Sequence, residues 1–411
     1  MSHQPLNVLL APHGTRGDVQ PMVALAEALR ARGHVARFVA PANAIRWLRA
    51  RGFDAHSDGI DVEQLLRSAS AHLDSLRWQF RYLRDVLSPR LFQALATASF
   101  GADLIVGSGV QMAAASVAEW RDVPYASAVF CPCAIPSSAA PPPTVRTQAL
   151  PPFLNWLLWQ IGEPIAGLAL RTPINEGRAS LGLAPLDAPV RHLTGLRILL
   201  AADRDLAPIG DDAPRTAVQT DAWIWEQPDA LDPRLDAFLD LDPAPIYFGF
   251  GSMVPKDVAS LASDAVSAAR ALGRGAILAG GWARLDRHVR EADDVLAVED
   301  VPHGLVLPRV AVAVHHGGAG TTTAAARAGV PQVVLPHILD QFYWASRVER
   351  LGLGPHGLPV DLVNADVLTD RIAIALGDPL MREETATFAA TIGSRNGVHA
   401  AVDVLEELAD A

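Results

Sequence analysis

The stretch from 310 to 341 restricts the fold more than any other part of the chain. Val310-Ala311-Val312-Ala313-Val314 is a short apolar run rich in β-branched residues, the pattern of a buried strand. It breaks into His315-His316-Gly317-Gly318-Ala319-Gly320, and Thr321 opens a small-residue run that reads as a helix closed by Gly329 and Pro331. Residues 332–335 read as a second buried strand, with Asp340 and Gln341 just beyond. Strand, glycine-rich turn and helix together make an anion site. Glycine lets the backbone approach closely, and the free N–H groups at the helix start stabilise negative charge. His316 and Thr321 would add side-chain donors. Glycine also serves such turns for geometry alone, so the rest of the chain has to decide.

At 411 residues the chain is longer than one core usually serves, and two domains are expected. Strand-like runs at 8–11, 35–40, 104–106, 126–130 and 196–201 alternate with helix-like stretches at 21–32, 42–51 and 113–120. A second series has strands at 246–250, 276–279, 295–298, 310–314 and 332–335. This alternation predicts an α/β protein with two doubly wound parallel sheets, whose ligands sit beyond the carboxyl ends of the strands. The change in composition over 221–245 reads as a linker. The expected division is a first domain at 1–220, a second at 246–385, and a helical tail at 386–411. Residues 132–152, rich in Pro, Ser and Ala, read as a mobile loop.

Net charge −11 and a pI near 5.6 argue against nucleic acid or anionic lipid as a general partner. Cys131 and Cys133 are too few for a disulfide framework, and a metal site would need further ligands nearby. Buried thiols in a reducing, cytoplasmic setting are expected. The first residues lack the basic region and long apolar core of a signal peptide. Residues 149–170 carry Phe153, Trp156, Leu157, Leu158 and Trp159, but Asn155, Gln160, Glu163 and Pro164 interrupt them. This segment reads as packing beside an acceptor pocket, or as lying partly exposed in peripheral contact with a membrane.

The motifs HHGGAGTT at 315–322, AGVPQVVLP at 328–336 and DQ at 340–341 do not stand alone. GTRGDVQP at 14–21, FGFGSM at 248–253, GGW at 280–282 and VPH at 301–303 accompany them. In this order they resemble the GT-B glycosyltransferases of the UDP-glycosyltransferase superfamily. The nearest likeness is to the sterol glucosyltransferase-like and the glycopeptide and macrolide antibiotic enzymes. The resemblance spans nearly the whole chain and thins between about 60 and 215. It implies two Rossmann-like domains facing across a cleft, with the last helix crossing back to the first. It also implies a UDP- or TDP-linked sugar as co-substrate without cofactor or metal, and a lipophilic small-molecule acceptor.

The resemblance also places roles on residues. His316, Gly317, Gly318, Ala319, Gly320 and Thr321 would hold the diphosphate, helped by a second glycine turn at Gly251 and Ser252. Val301 and His303 stand in the loop that contacts the base. Asp300 stands where plant relatives place a stacking Trp, and Trp282 is either a second aromatic candidate or a packed core residue. Asp340 and Gln341 occupy the positions that bond sugar hydroxyls, and a carboxylate beside an amide suits a polyol. The base that takes the acceptor proton is either His13 or Asp18. Anchored on Pro21, Asp18 falls on the catalytic His of the macrolide enzymes, and the glycopeptide enzymes carry Asp there. Asp18 is therefore favoured, although it also suits a helix cap. The place of the Asp that orients the macrolide His lies near Ser108, so that dyad is absent. Ser108, Phe130, Phe153 and Trp156 are the candidate acceptor contacts. Asp203, Asp205, Asp240 and Asp242 form two Asp-x-Asp pairs, read as surface or linker acids, and His34 and His56 read as surface residues. The expected reaction is inverting hexosyl transfer. A nucleotide-sugar 2-epimerase and a non-catalytic partner protein are the alternatives.

Overall fold

The β-branched runs form strands. The structure, a computed structural model, describes residues 4–68, 86–225 and 230–411. Among these residues one parallel sheet has seven strands: β1 (Asn7–His13), β2 (Val35–Ala40), β3 (Asp54–Ser57), β4 (Leu104–Gly109), β5 (Tyr125–Val129), β6 (Arg197–Leu200) and β7 (Ala217–Gln219). Their order is β3-β2-β1-β4-β5-β6-β7. The second sheet has β8 (Ile246–Gly249), β9 (Ala276–Ala279), β10 (Val295–Val298), β11 (Val312–His315) and β12 (Gln332–Val334), in the order β10-β9-β8-β11-β12. Two parallel sheets with helices on both faces fit the expected GT-B architecture, because parallel strands need cover on each side.

The runs expected from the sequence are found as strands, including β10 and β12 at the ends of the second sheet. The two strands that were not expected, β3 and β7, end the first sheet. Their sequences, Asp-Ala-His-Ser and Ala-Val-Gln, lack the apolar run that signals burial on both faces. Helix Arg16–Ala31 starts five residues before the predicted Pro21. Thr15 caps it, and Pro21 sits within the first turns. Residues 135–151 are irregular as expected, yet they are tied down. Ser138 N–H donates to Asp212 (2.9 Å), and Asn155 and Trp159 donate to the carbonyls of Ser138 and Ala140 (both 3.0 Å).

Within the segment read as a linker, Trp223 and Trp225 pack in the first unit's core, and Leu235 and Leu239 in the second's. Residues 226–229 lie outside the described residues. The tail helix Val398–Ala409 lies on the first unit, where Val398, Ala401, Val402 and Leu405 join the core around helix Arg16–Ala31. His34 is therefore not a surface residue. It is buried, with its Nε2 2.8 Å from Glu406 of the tail, and Arg32 pairs with Asp403 at 2.8 Å.

A third apolar cluster joins the two units. Cys131, Cys133, Leu200 and Leu206 meet Ala326, Tyr343, Trp344 and Val348 there. Asp203 lies beside it and corrects another expectation: its side chain is wholly buried and bonded twice by Arg327, at 2.7 and 3.1 Å. Asp205 is paired with Arg395, and Asp240 with Arg309 at 2.6 Å. Asp203 and Asp205 thus clamp the units together. Spacing alone cannot show this, because their partners lie 124 and 190 residues away.

Candidate active site

Each sheet reverses its strand order once, between β1 and β4 and between β8 and β11. Parallel sheets bind ligands in the crevice at such a point, beyond the carboxyl ends of the strands. In the first sheet that end carries His13 opposite Gly109 and Pro12 opposite Ser108, and Asp18 follows in the next turn. In the second it carries His315 opposite Gly249, followed by His316 and by Gly251-Ser252.

On the second unit, helix Ala319–Ala328 begins with Gly318 as its cap, two residues before the predicted start. Its first internal bond runs from Thr322 N–H to the Gly318 carbonyl (2.9 Å). The N–H groups of Ala319, Gly320 and Thr321 consequently have no partner within the helix, and they form an anion-attracting end. The two glycine turns fit around one imidazole. A Cβ at Gly318 would come within 2.4 Å of His316 Nε2, and a Cβ at Gly251 within 3.1 Å of Cε1. His316 is buried, and its Nδ1 has no protein partner. Burial, with His315 and His337 nearby, pushes its pKa well below the ordinary imidazole value. His315 is pushed to about 4 by burial and bonds Gln332 at 2.9 Å. These imidazoles are neutral at pH 7, so they act by hydrogen bonding and shape. Gly317, at φ +85°, carries the chain between them, its N–H held by His315 Nδ1 (3.0 Å).

Val301 lies in the core. His303 opens a short helix, stands edge-on to Tyr247 with Nε2 3.1 Å from the hydroxyl, and is lowered to about 4 by burial. Asp300 holds Arg16 of the first unit in an ion pair across the cleft. Trp282 packs against Val62 and Leu66 of the first unit, and its carbonyl accepts from Arg67 Nε (3.1 Å). It stands in the cleft wall between the units.

Asp340 precedes helix Gln341–Arg350 but does not cap it with its side chain. Its Oδ2 accepts from Trp344 Nε1 (3.2 Å). Burial and then the Asp18 charge raise its pKa to about 6. The Gln341 carbonyl oxygen is already occupied by the N–H groups of His337 and Ile338, at 2.7 and 3.1 Å. Only its NH₂ remains free to reach a ligand, so Gln341 can donate to a hydroxyl oxygen but not accept.

Asp18 belongs to a capping box. Its Oδ2 accepts Thr15 N–H at 2.7 Å, and the Thr15 side chain accepts from Gly17 N–H. The carboxyl is half-buried at the cleft, and burial raises its pKa to about 6 against the opposing effect of these bonds. Helix capping and a raised pKa are thus combined in one side chain. Ser108 Oγ donates to the Asp18 carbonyl (3.1 Å) and ties β4 to this turn. His13 has no exposed surface. Its Nδ1–H donates to Asp58 at 2.7 Å, a partner that the sequence reading missed because β3 was not recognised. The only local signal was the Asp58-Gly59 turn.

The acceptor candidates do not converge. Phe130 packs edge-on against Trp223, and Phe153 and Trp156 lie exposed on helix Pro152–Ser180. Among the described residues, no helix is long and apolar enough to cross a membrane, and no group of three or more His, Cys, Asp or Glu is placed to hold a metal ion.

Comparison with known proteins identifies the family. Residues 8–135 match the glycosyltransferase family 28 N-terminal domain, and 283–408 the erythromycin biosynthesis protein CIII-like C-terminal domain. The chain is 36% identical to glycosyltransferase GtfE of Amycolatopsis orientalis over 97% of both chains. It is 35% identical to the vancomycin aglycone glucosyltransferase of the same organism, over 95% of this chain and 94% of that one. The solved structure of glycosyltransferase VinC in complex with dTDP has the same fold, with a TM-score of 0.71 at 20% identity over 98% of this chain and 100% of that one. The chain belongs to the GT-B glycosyltransferases, in the group that contains the glycopeptide and macrolide antibiotic enzymes.

Proposed function

We propose that this enzyme transfers a hexose from a UDP- or TDP-linked donor to a hydroxyl of a lipophilic natural product, with inversion at the anomeric carbon. One observation carries the reading. The anion-attracting turn of the second unit and the raised carboxyl of Asp18 in the first each follow the carboxyl end of a central strand, close enough for Asp18 to act on Asp340. The donor would place its diphosphate on the N–H groups at 319–321 and beside His316, and its hexose against Asp340 and the Gln341 NH₂. Preorganised N–H dipoles offset charge on a departing diphosphate.

The acceptor oxygen attacks the anomeric carbon from the face opposite the diphosphate. A bond forms between that oxygen and the carbon, and the bond from the carbon to the diphosphate oxygen breaks. Its electron pair leaves with the nucleotide, and the hydroxyl proton passes to Asp18. A carboxyl pKa near 6 makes Asp18 a stronger proton acceptor than an ordinary aspartate while keeping it ionised at neutral pH. The two-domain cleft supplies the orientation. The relatives that act on antibiotic aglycones support a bulky acceptor.

The test is nucleotide release from UDP- and TDP-hexoses with a panel of glycopeptide aglycones, macrolides and sterols, with and without acceptor. Acceptor-dependent release is expected, falling by about 10²–10⁴-fold in Asp18→Asn. Equal turnover without acceptor would favour epimerisation. Wild-type turnover in Asp18→Asn would remove Asp18 from the role of base.

A further inference from the structure

We propose that Arg16 and Asp300 are positioning residues: their ion pair closes the front of the cleft and holds the turn that carries Asp18 against the frame that carries the Gly251 turn. This rests on the reading of Asp18 as the base and of the turns at Gly251 and 319–321 as the donor site. Arg16 is the first residue of helix Arg16–Ala31, within the capping box of Thr15 and Asp18. Its Nε donates to Gln20 Oε1 one turn further on (3.2 Å), and its Nη1 donates to Asp300 Oδ2. The two residues are 284 apart in the chain. Asp300 directly precedes Val301-Pro302-His303, the loop expected to contact the nucleotide base. An arginine two residues from the proposed base thus reaches the donor unit.

Asp300 sits on a connected backbone frame. The carbonyls of Val298 and Glu299 accept the N–H groups of Gly280 and Gly281, at 2.8 and 3.2 Å, and Trp282 N–H donates to the Gly251 carbonyl (2.9 Å). A Cβ at Gly281, whose φ is +54°, would lie 2.2 Å from that same carbonyl oxygen, and one at Gly251 would lie 3.1 Å from His316 Cε1. Residues 298–300, 280–282 and 251 therefore form one frame that ends on the imidazole of the proposed donor site. A second arginine of the first unit lands on it. Arg67 Nε donates to the Trp282 carbonyl (3.1 Å), where Trp282 also packs against Val62 and Leu66.

These front contacts differ from the clamp at the rear. Asp203, bonded by Arg327, is wholly buried, whereas the Arg16 and Asp300 side chains are 39% and 55% exposed. An exposed pair contributes little to stability and is screened by salt. That weakness suits a contact that opens each time a nucleotide sugar enters or a nucleotide leaves, while the buried clamp stays made. Arg16 and Asp300 act through orientation, by fixing the base turn relative to the donor turn, and not on the reacting atoms.

Charge reversal tests this. Asp300→Arg and Arg16→Glu each set like charges against one another across the cleft, and the double variant restores an opposite pair. Both side chains are exposed, so the variants should fold, which circular dichroism checks. With TDP bound, hydrogen exchange at 16–20 and 280–283 should quicken in each single variant and return towards wild type in the double one. Turnover of TDP- and UDP-hexoses with the acceptor panel should fall about tenfold in each single variant and recover to within about threefold in the double one. The Kd for TDP and UDP should stay within about twofold, because the N–H groups at 319–321 belong to the second unit alone. At saturating donor, added salt should slow the wild type towards Asp300→Asn and leave Asp300→Asn unchanged. Single variants with wild-type exchange and turnover would overturn the proposal. So would a double variant no better than the singles, or a loss confined to nucleotide Kd. If Asp18→Asn keeps wild-type turnover, the base reading fails instead, and the exchange data still decide the bridge.

Discussion

The proposed donor site and helix Pro152–Ser180, on which acceptor contacts were expected, are built from different material. The proposed donor site is mostly backbone: the N–H groups at 319–321, the turn at Gly251, and Gly317 in a left-handed conformation. Side chains there are short, or are buried imidazoles that leave no room for a Cβ at Gly318. Helix Pro152–Ser180, which carries the expected acceptor contacts Phe153 and Trp156, offers side chains instead. Phe153, Trp156, Leu157, Ile161, Ile165 and Leu168 form one exposed apolar face, with Leu168 76% exposed. A backbone-built site needs glycine at fixed positions and tolerates little else. A side-chain face needs only apolar residues at helical spacing, which many sequences satisfy.

His316→Ala puts the greatest load on this contrast. If the donor half works through a fixed turn around this imidazole, kcat/KM for the nucleotide sugar should fall by about 10²–10³-fold. Unchanged donor kinetics would show that the turn holds the diphosphate without it. Arg327→Ala probes the clamp that fixes the same helix to the first unit. It leaves Asp203 buried and unpaired, so urea unfolding should show a loss of about 3 kcal/mol. A loss below about 1 kcal/mol would mean that the Asp203–Arg327 pair does not hold the units together.

Asp340 gives a smaller effect that depends on pH. Its pKa is raised from 3.8 to about 6, so the folded state holds the proton more tightly than the unfolded chain. The stability it contributes is complete below the unfolded value and is lost as pH rises through about 6. Asp340→Asn should therefore gain on wild type between about pH 4 and pH 8, by on the order of 1 kcal/mol for this half-buried group. A difference in melting temperature that stays flat with pH would contradict the burial argument. The smallest effect belongs to helix Pro152–Ser180. Trp156→Ser should change stability and donor kinetics by less than about 0.5 kcal/mol, because the ring is 52% exposed. A large loss of stability would show that this face is covered in solution.

The parts whose signal is local could be read from the amino-acid order. A β-branched run, a glycine turn and a small-residue helix define β11 and the helix after it within 20 residues. The same holds for the turn after β8, and for Asp340 and Gln341 beyond β12. The central strands were readable because burial on both faces demands continuous apolar runs, whereas the end strands β3 and β7 carry no such demand. Tertiary structure alone decided which distant groups meet. It brought Asp58 to His13 across 45 residues, Arg327 to Asp203 across 124, and the tail's Glu406 to His34 across 372. It also gave the oxygen of Gln341 to the backbone and left only its NH₂ for a ligand. The reason is physical. Chain conformation depends on nearest neighbours, but hydrogen-bond partners and the burial that shifts a carboxyl pKa depend on what the folded sheets bring alongside.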